Sequence, residues 1–99
     1  DTVRFGGEEL SVFQVPGHSP GSLVFYHSGI KSLFTGDTLF RRGIGRTDLP
    51  GGNRQELLEN TRRVIFSFPD DTIVYPGHYE ATTVGDERCN NPFLRGSFN

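Results

Sequence analysis

Leu33-Phe34-Thr35-Gly36-Asp37-Thr38-Leu39-Phe40 is the stretch on which the reading of this chain turns. A short apolar run ends at a glycine, and the carboxylate of Asp37 follows at once, with the hydroxyl of Thr38 behind it. Working outward, the same device recurs on both sides as Pro16-Gly17-His18 and Pro76-Gly77-His78, each after a run with strand character. Two histidines and an aspartate, each just past a strand, are the donor types that hold a divalent cation. Taken singly, each has a plainer reading. Asp37 alone is a turn aspartate bonded to its own backbone, or the cap of a short helix through Thr38. The spacings of nineteen and forty-one residues match no short metal motif. The shared placement shifts the balance, because a glycine before each candidate lets the backbone turn tightly and a bulky ion approach. His27 lacks that context and reads as a strand-end surface residue.

The remaining elements follow from periodicity. Thr2 to Phe5 reads as a short strand, Gly6-Gly7 as a turn, and Leu10 to Val15 as a half-buried strand with alternating apolar residues. Pro16-Gly17 ends it, and His18 to Gly21 is a loop. Ser22 to His27 and Ile30 to Phe34 then form a hairpin about Ser28-Gly29. From Leu39 to Gly52 neither period is sustained, and long irregular loops in compact domains are often functional. Within it, Arg41, Arg42 and Arg46 read equally as a solvated basic loop or as a clamp for a substrate carboxylate. Asn53 caps the one clear helix, with Glu56 completing a variant capping box, and Leu57, Leu58, Thr61, Val64, Ile65 and Phe68 form its apolar stripe. Thr72 to Tyr75 is a last strand; Thr82-Thr83 caps one or two helical turns that Pro92 stops.

Composition excludes several classes of function. A formal net charge of −2, with ten basic and twelve acidic residues interspersed, offers no basic face to a nucleic acid. No apolar run approaches the length of a membrane span, and no segment resembles a signal peptide. Cys89 is alone, so no internal disulfide forms; a bystander or buried thiol and a reducing, cytoplasmic location are expected. Ser19 and Ser22 sit near His18 without a nucleophile-elbow pattern, and turn chemistry accounts for them. Gly43-Ile44-Gly45 lacks the strand-then-helix frame of a dinucleotide site. The chain opens on Asp1 without a methionine, consistent with a processed product or an excised piece.

Together, Pro16-Gly17-His18-Ser19-Pro20-Gly21-Ser22, Phe34 to Phe40 and Tyr75-Pro76-Gly77-His78 resemble the metallo-β-lactamase superfamily over nearly the whole chain. Gly45-Arg46-Thr47-Asp48-Leu49-Pro50-Gly51-Gly52 and Asn91-Pro92-Phe93-Leu94 are similar to its glyoxalase II-like hydrolases rather than to the lactamases proper. The resemblance implies an α/β fold, an αββα sandwich with two divalent metals at one edge between its sheets. It implies that His18 binds the first ion, His78 the second, and Asp37 both; zinc is the expected metal, with iron or manganese as alternatives. The reaction implied is hydrolysis of a thioester such as a hydroxyacylglutathione by water activated at the metals, Asp37 being the catalytic residue of this chain. Arg46 falls where such enzymes face the glycine carboxylate of glutathione, and Tyr79 is the second substrate-binding candidate. Two departures are visible. The family's tyrosine lies two residues after the last metal histidine, whereas here Tyr79 follows at once and Glu80 occupies that place. The His-x-His-x-Asp-His motif, which would bring four further ligands, is not among these residues. Residues 1–99 thus read as the C-terminal part of the domain: half a sandwich, mostly antiparallel strands with one long helix, with exposed apolar surface where the missing N-terminal half packs. That half comes from the same or another chain, and the 99 residues alone would be inactive. An iron-dependent, mononuclear sulfur dioxygenase of the same superfamily, which the Gly45 to Asp48 loop also resembles, and a non-catalytic half-domain are the alternatives.

Overall fold

A computed structural model describes residues 2–5 and 7–94; residue 6 of the expected turn and residues 95–99 lie outside them. In chain order the strands are β1 (Thr2–Phe5), β2 (Glu8–Gln14), β3 (Leu23–His27), β4 (Ser32–Gly36), β5 (Leu39–Phe40) and β6 (Gly43–Ile44). Helix α1 (Arg54–Val64) follows, then β7 (Ile73–Pro76), β8 (Thr82–Thr83) and α2 (Val84–Asn90). One mixed sheet has the order β1-β2-β3-β4-β7-β8, and β5 and β6 pair by themselves. Neighbours are antiparallel except β4 and β7. A parallel neighbour needs a long crossover. Here it is the whole segment from β5 through α1.

Alternation divides the sheet into two faces. Val24, Leu33 and Val74 point to the covered face and are fully buried, packed with Val64 and Ile65 at the end of α1, Val84 of α2, and Leu94. Burying a large aliphatic side chain contributes about 1.5–3 kcal/mol, so this cluster is the main source of stability. On the other face Leu23, Phe34 and Tyr75 remain over a third exposed, and the Phe34 and Tyr75 rings stack at 5.5 Å across the parallel pair. The result is one sheet and one helical layer, with an apolar sheet face left open.

Helix α1 forms where its stripe required. Leu57, Thr61 and Val64 are buried, and the Asn53 side chain accepts the Glu56 N–H at 2.9 Å. The reciprocal half of the expected capping box is absent: the Asn53 N–H donates instead to Gly17 O at 2.7 Å, tying the helix start to the first Pro-Gly-His loop. The stripe continues past Val64 as a 3₁₀ turn, Ile65–Ser67. The hairpin reverses through a 3₁₀ turn at Ser28–Ile30, with Lys31 left-handed at φ 48°, so β4 begins at Ser32. The stretch expected to be irregular contains the β5–β6 hairpin, whose two-residue strands are too short to show a period. Thr83 caps α2 by accepting the Asp86 N–H at 3.1 Å, but Thr82 and Thr83 also pair with β7. Leu33→Ala should destabilise the protein by about 2–5 kcal/mol, and Asn53→Ala by about 0.5–2 kcal/mol, both read from urea unfolding.

Candidate metal centre

Strand direction gathers the three candidates. β2 and β4 are each antiparallel to β3, so they run the same way, and β7 is parallel to β4. All three therefore release their following loops at one end of the sheet. Asp37 leaves β4 and His78 leaves β7 side by side, because Gly36 is in register with Pro76 and the Gly77 N–H donates to Gly36 O at 2.8 Å. His18 arrives from beyond β2 on a loop held to α1 by the Asn53 N–H bond to Gly17 O and by Asn60 Nδ2 donating to Pro16 O at 2.9 Å.

The carboxylate of Asp37 stands between the two rings. His18 Nε2 lies 3.8 Å from Asp37 Oδ2, and His78 Nε2 lies 3.3 Å from Oδ1. Each oxygen thus faces a different imidazole. The other His18 nitrogen, Nδ1, is 2.7 Å from the carbonyl oxygen of Arg46, which can only accept, so Nδ1 carries the proton and Nε2 presents its lone pair to the centre. Fixing the tautomer through the remote nitrogen is how proteins prepare a histidine ligand. Among the described residues no group of three His, Cys, Asp or Glu side chains closes into a cage. The arrangement is instead one carboxylate facing two imidazoles, donors whose chemistry suits a divalent ion only as part of a larger ligand set. Asp37 takes neither plainer role: the Thr38 N–H closes a turn onto Thr35 O at 2.9 Å, and strand β5 follows rather than a helix.

The glycines do in part the work expected: a Cβ on Gly77 would lie 3.2 Å from Gly36 O and 3.4 Å from Asp37 Oδ1. Gly17 adopts φ +143°, and a Cβ there would lie 2.3 Å from the Leu57 Cα, so helix packing rather than ion approach demands it. Gly36 is left-handed at φ +53° in open space, where it turns the chain into Asp37. The closest approach at the centre belongs to Gly45, where a Cβ would sit 1.8 Å from Asp37 O and 3.1 Å from His18 Nδ1. The Gly45 N–H donates to Thr38 O at 3.1 Å, seating β6 against the Asp37 turn.

A cavity of about 560 Å³ opens beside the trio, walled by Phe40, Ile44, Tyr79 and Phe93 and by the three arginines. Each arginine is already paired. Arg41 meets Glu80 at 2.6 Å across the mouth. Arg46 forms a forked pair with Asp48 at 2.8 and 3.0 Å, which holds the Asp48 carboxyl below its ordinary range and raises the guanidinium. Arg42, left-handed at φ 60°, turns inward to Asp86 and the fully buried Glu87. It is neither a solvated loop residue nor a free clamp. Tyr79 lies on the rim, 80% exposed, its ring edge-on to Phe40 at 5.4 Å.

Glu87 and Asn91 escaped the sequence reading. Val84, Glu87, Asn91 and Leu94 recur at intervals of three or four and are all buried, so a charge within an apolar helical stripe was the available signal. His27 ends β3 as expected, but its ring is largely covered and its Nε2 lies 2.6 Å from Glu8 Oε1. Ser19 and Ser22 bond each other at 2.9 Å within their turn, as expected. Cys89 is exposed and free, not buried. No helix among the described residues is long and apolar enough to cross a membrane.

Comparison with known proteins identifies the family and the fold. The model of the Metallo-beta-lactamase superfamily matches residues 1–78. Hydroxyacylglutathione hydrolase GloC of Haemophilus influenzae is 39% identical over 95% of this chain and 44% of its own length. Among solved structures, BLEG-1, titled a B3 metallo-beta-lactamase, superposes with a TM-score of 0.90 at 46% identity, covering 94% of this chain and 44% of that one. TTHA1623 in a di-iron-bound form superposes with a TM-score of 0.84 at 43% identity, covering 93% and 45%. The chain spans less than half the length of each of these relatives.

Gly45→Ala should separate the Asp37 turn from His18 while leaving the sheet intact, seen as shifts of both residues' side-chain NMR signals against unchanged core signals. A second expectation concerns pH. Bonds from Asn90 and from Arg42 hold the Asp86 carboxyl below its ordinary value of 3.8. The stability they contribute is therefore present above that value and lost as pH falls through the lower, folded one. Asp86→Asn should lower the thermal midpoint at neutral pH, and the difference from the parent should shrink as the pH drops below 3.8.

Proposed function

Because the chain belongs to the metallo-beta-lactamase superfamily, we propose that it is the C-terminal part, residues 1–99, of the catalytic domain of a dinuclear metallo-hydrolase acting on a thioester of the hydroxyacylglutathione type. The observation that carries this reading is the Asp37 carboxylate with one imidazole Nε2 facing each oxygen. His18 and Asp37 would hold one ion, and His78 with the same Asp37 the other. When bound, two divalent ions supply Lewis acidity, polarising a carbonyl and making water acidic enough to attack near neutral pH. Zinc suits imidazole and carboxylate donors, and so does iron.

The chain's own residues supply binding and orientation. The aromatic wall of Phe40 and Tyr79 would offer apolar contact to the acyl end of a substrate. Arg46, already aligned by Asp48, offers a guanidinium to a terminal carboxylate at the rim, where the Asp48 pair opens to a competing anion. The open sheet face around Phe34 and Tyr75 is, on this reading, where the rest of the domain packs, bringing the other metal ligands. The 39% identity to a hydroxyacylglutathione hydrolase supports a thioester substrate. The lactamase title of one relative makes a β-lactam the first competing substrate to assay.

In the protein as its gene encodes it, Asp37→Ala should reduce thioester hydrolysis by more than about 100-fold, the upper end for loss of an outer-shell metal partner, with the fold retained by circular dichroism. Normal turnover in that variant would refute the assignment. Faster turnover of a β-lactam than of a hydroxyacylglutathione would replace the substrate. One iron per protein with oxygen uptake on a persulfide would support the dioxygenase alternative.

A further inference from the structure

We infer that Glu87, on α2 and outside the proposed metal shell, is a positioning residue that clamps the segment 42–46 and through it fixes His18 and Asp37. Only the purpose of the clamp rests on the metallo-hydrolase reading; the clamp itself is geometry.

A fully buried carboxylate must be paired. Glu87 Oε1 accepts the Arg42 backbone N–H at 2.7 Å and Asn91 Nδ2 at 3.0 Å; Oε2 accepts Arg42 Nη1 and Thr82 Oγ1, each at 2.6 Å. Asn91 Nδ2 also donates to Gly43 O at 3.1 Å. If Glu87 served only to fasten α2 to the sheet, its contacts would run to β8, yet only the Thr82 bond does so. Two others go to Arg42 in the turn between β5 and β6, and the last, from Asn91 at the end of α2, is shared with Gly43 O in that same turn. That turn needs holding, since Arg42 is left-handed, a backbone state that costs a residue bearing a Cβ.

From Arg42 the chain leads directly into the centre. Three residues on, Gly45 N–H bonds Thr38 O and packs against Asp37 O; one further, Arg46 O receives the His18 Nδ1 proton. A carbonyl that fixes a ligand's tautomer orients it only if the carbonyl is itself held, and the buried carboxylate holds it from the opposite end of the segment.

The test uses Glu87→Gln in the protein as its gene encodes it, with Thr82→Val as control and Arg42→Lys as a milder, half-exposed substitution that removes the fork from the same network. Amide hydrogen exchange in the metal-free protein and Zn²⁺ affinity per folded molecule, by chelator competition, are the readouts. Glu87→Gln should speed exchange at Arg42 and Gly45 by about tenfold or more while Val24 and Leu33 keep the parent rate. It should also weaken Zn²⁺ by about 10- to 100-fold, the range for outer-shell substitutions. Arg42→Lys should shift both readouts the same way by less, and Thr82→Val neither, although it too deletes a bond to Glu87. Uniformly faster exchange with unchanged Zn²⁺ affinity, or an equal effect of Thr82→Val, would overturn the clamp. If Glu87→Gln fails to fold, Arg42→Lys decides by the same criteria. If the parent protein binds no Zn²⁺, the metallo-hydrolase reading fails, while the exchange data still decide the clamp.

Discussion

The parallel pairing of β4 with β7 is the constraint on which the rest of the structure depends. It sets the carboxylate of Asp37 and the imidazole of His78 at adjacent strand ends, with the Gly77 N–H bonded to Gly36 O between them. It also demands a long crossover, and that crossover supplies much of the rest of the centre: the β5–β6 hairpin with Gly45 and Arg46, and then α1, which seats the His18 loop. Two antiparallel steps from β4, β2 runs the same way and brings His18 to the same end. Residues nineteen and forty-one positions apart meet because of strand direction, which no linear spacing records.

The legibility of the sequence follows from this. Elements with a sustained period were readable: α1 from its stripe, and β3 with β4 from apolar runs about a turn. The three candidates were readable from their strand-end placement, and the physical reason attached to their glycines held in part. Gly36 makes the left-handed turn and Gly77 packs close to the Asp37 carboxylate, whereas Gly17 serves helix packing, and the tightest approach to Asp37 is made by Gly45, deep in the stretch without a period. The β5–β6 hairpin and β8 are two residues long and leave no pattern. Glu87 was legible in principle as a charge inside an apolar stripe, but its partner lies 45 residues away, at a backbone conformation that nothing in the sequence announces.

Stability and chemistry are separated in this chain. The covered sheet face and α1 carry the apolar cluster, and no member of the proposed metal trio belongs to it. The polar network of Arg42, Glu87 and Asn91 joins the two, since it is buried like a core yet directed at the loop beside the site. The opposite sheet face, with Phe34 and Tyr75 stacked in the open, is on the proposed reading the face that the rest of the domain covers, and so is as much a part of that proposal as the ligands.

The central claim is that His18, Asp37 and His78 share metal ions with Asp37 as the bridge. Anomalous diffraction at the edge of the bound metal, on crystals of the gene-encoded protein, tests it most directly. Two peaks should appear, one bonded to His18 Nε2 and the other to His78, each about 2.0–2.1 Å from its nitrogen and both reached by the Asp37 carboxylate. A peak bonded to His18 through Nδ1, or metal held without Asp37, would contradict it.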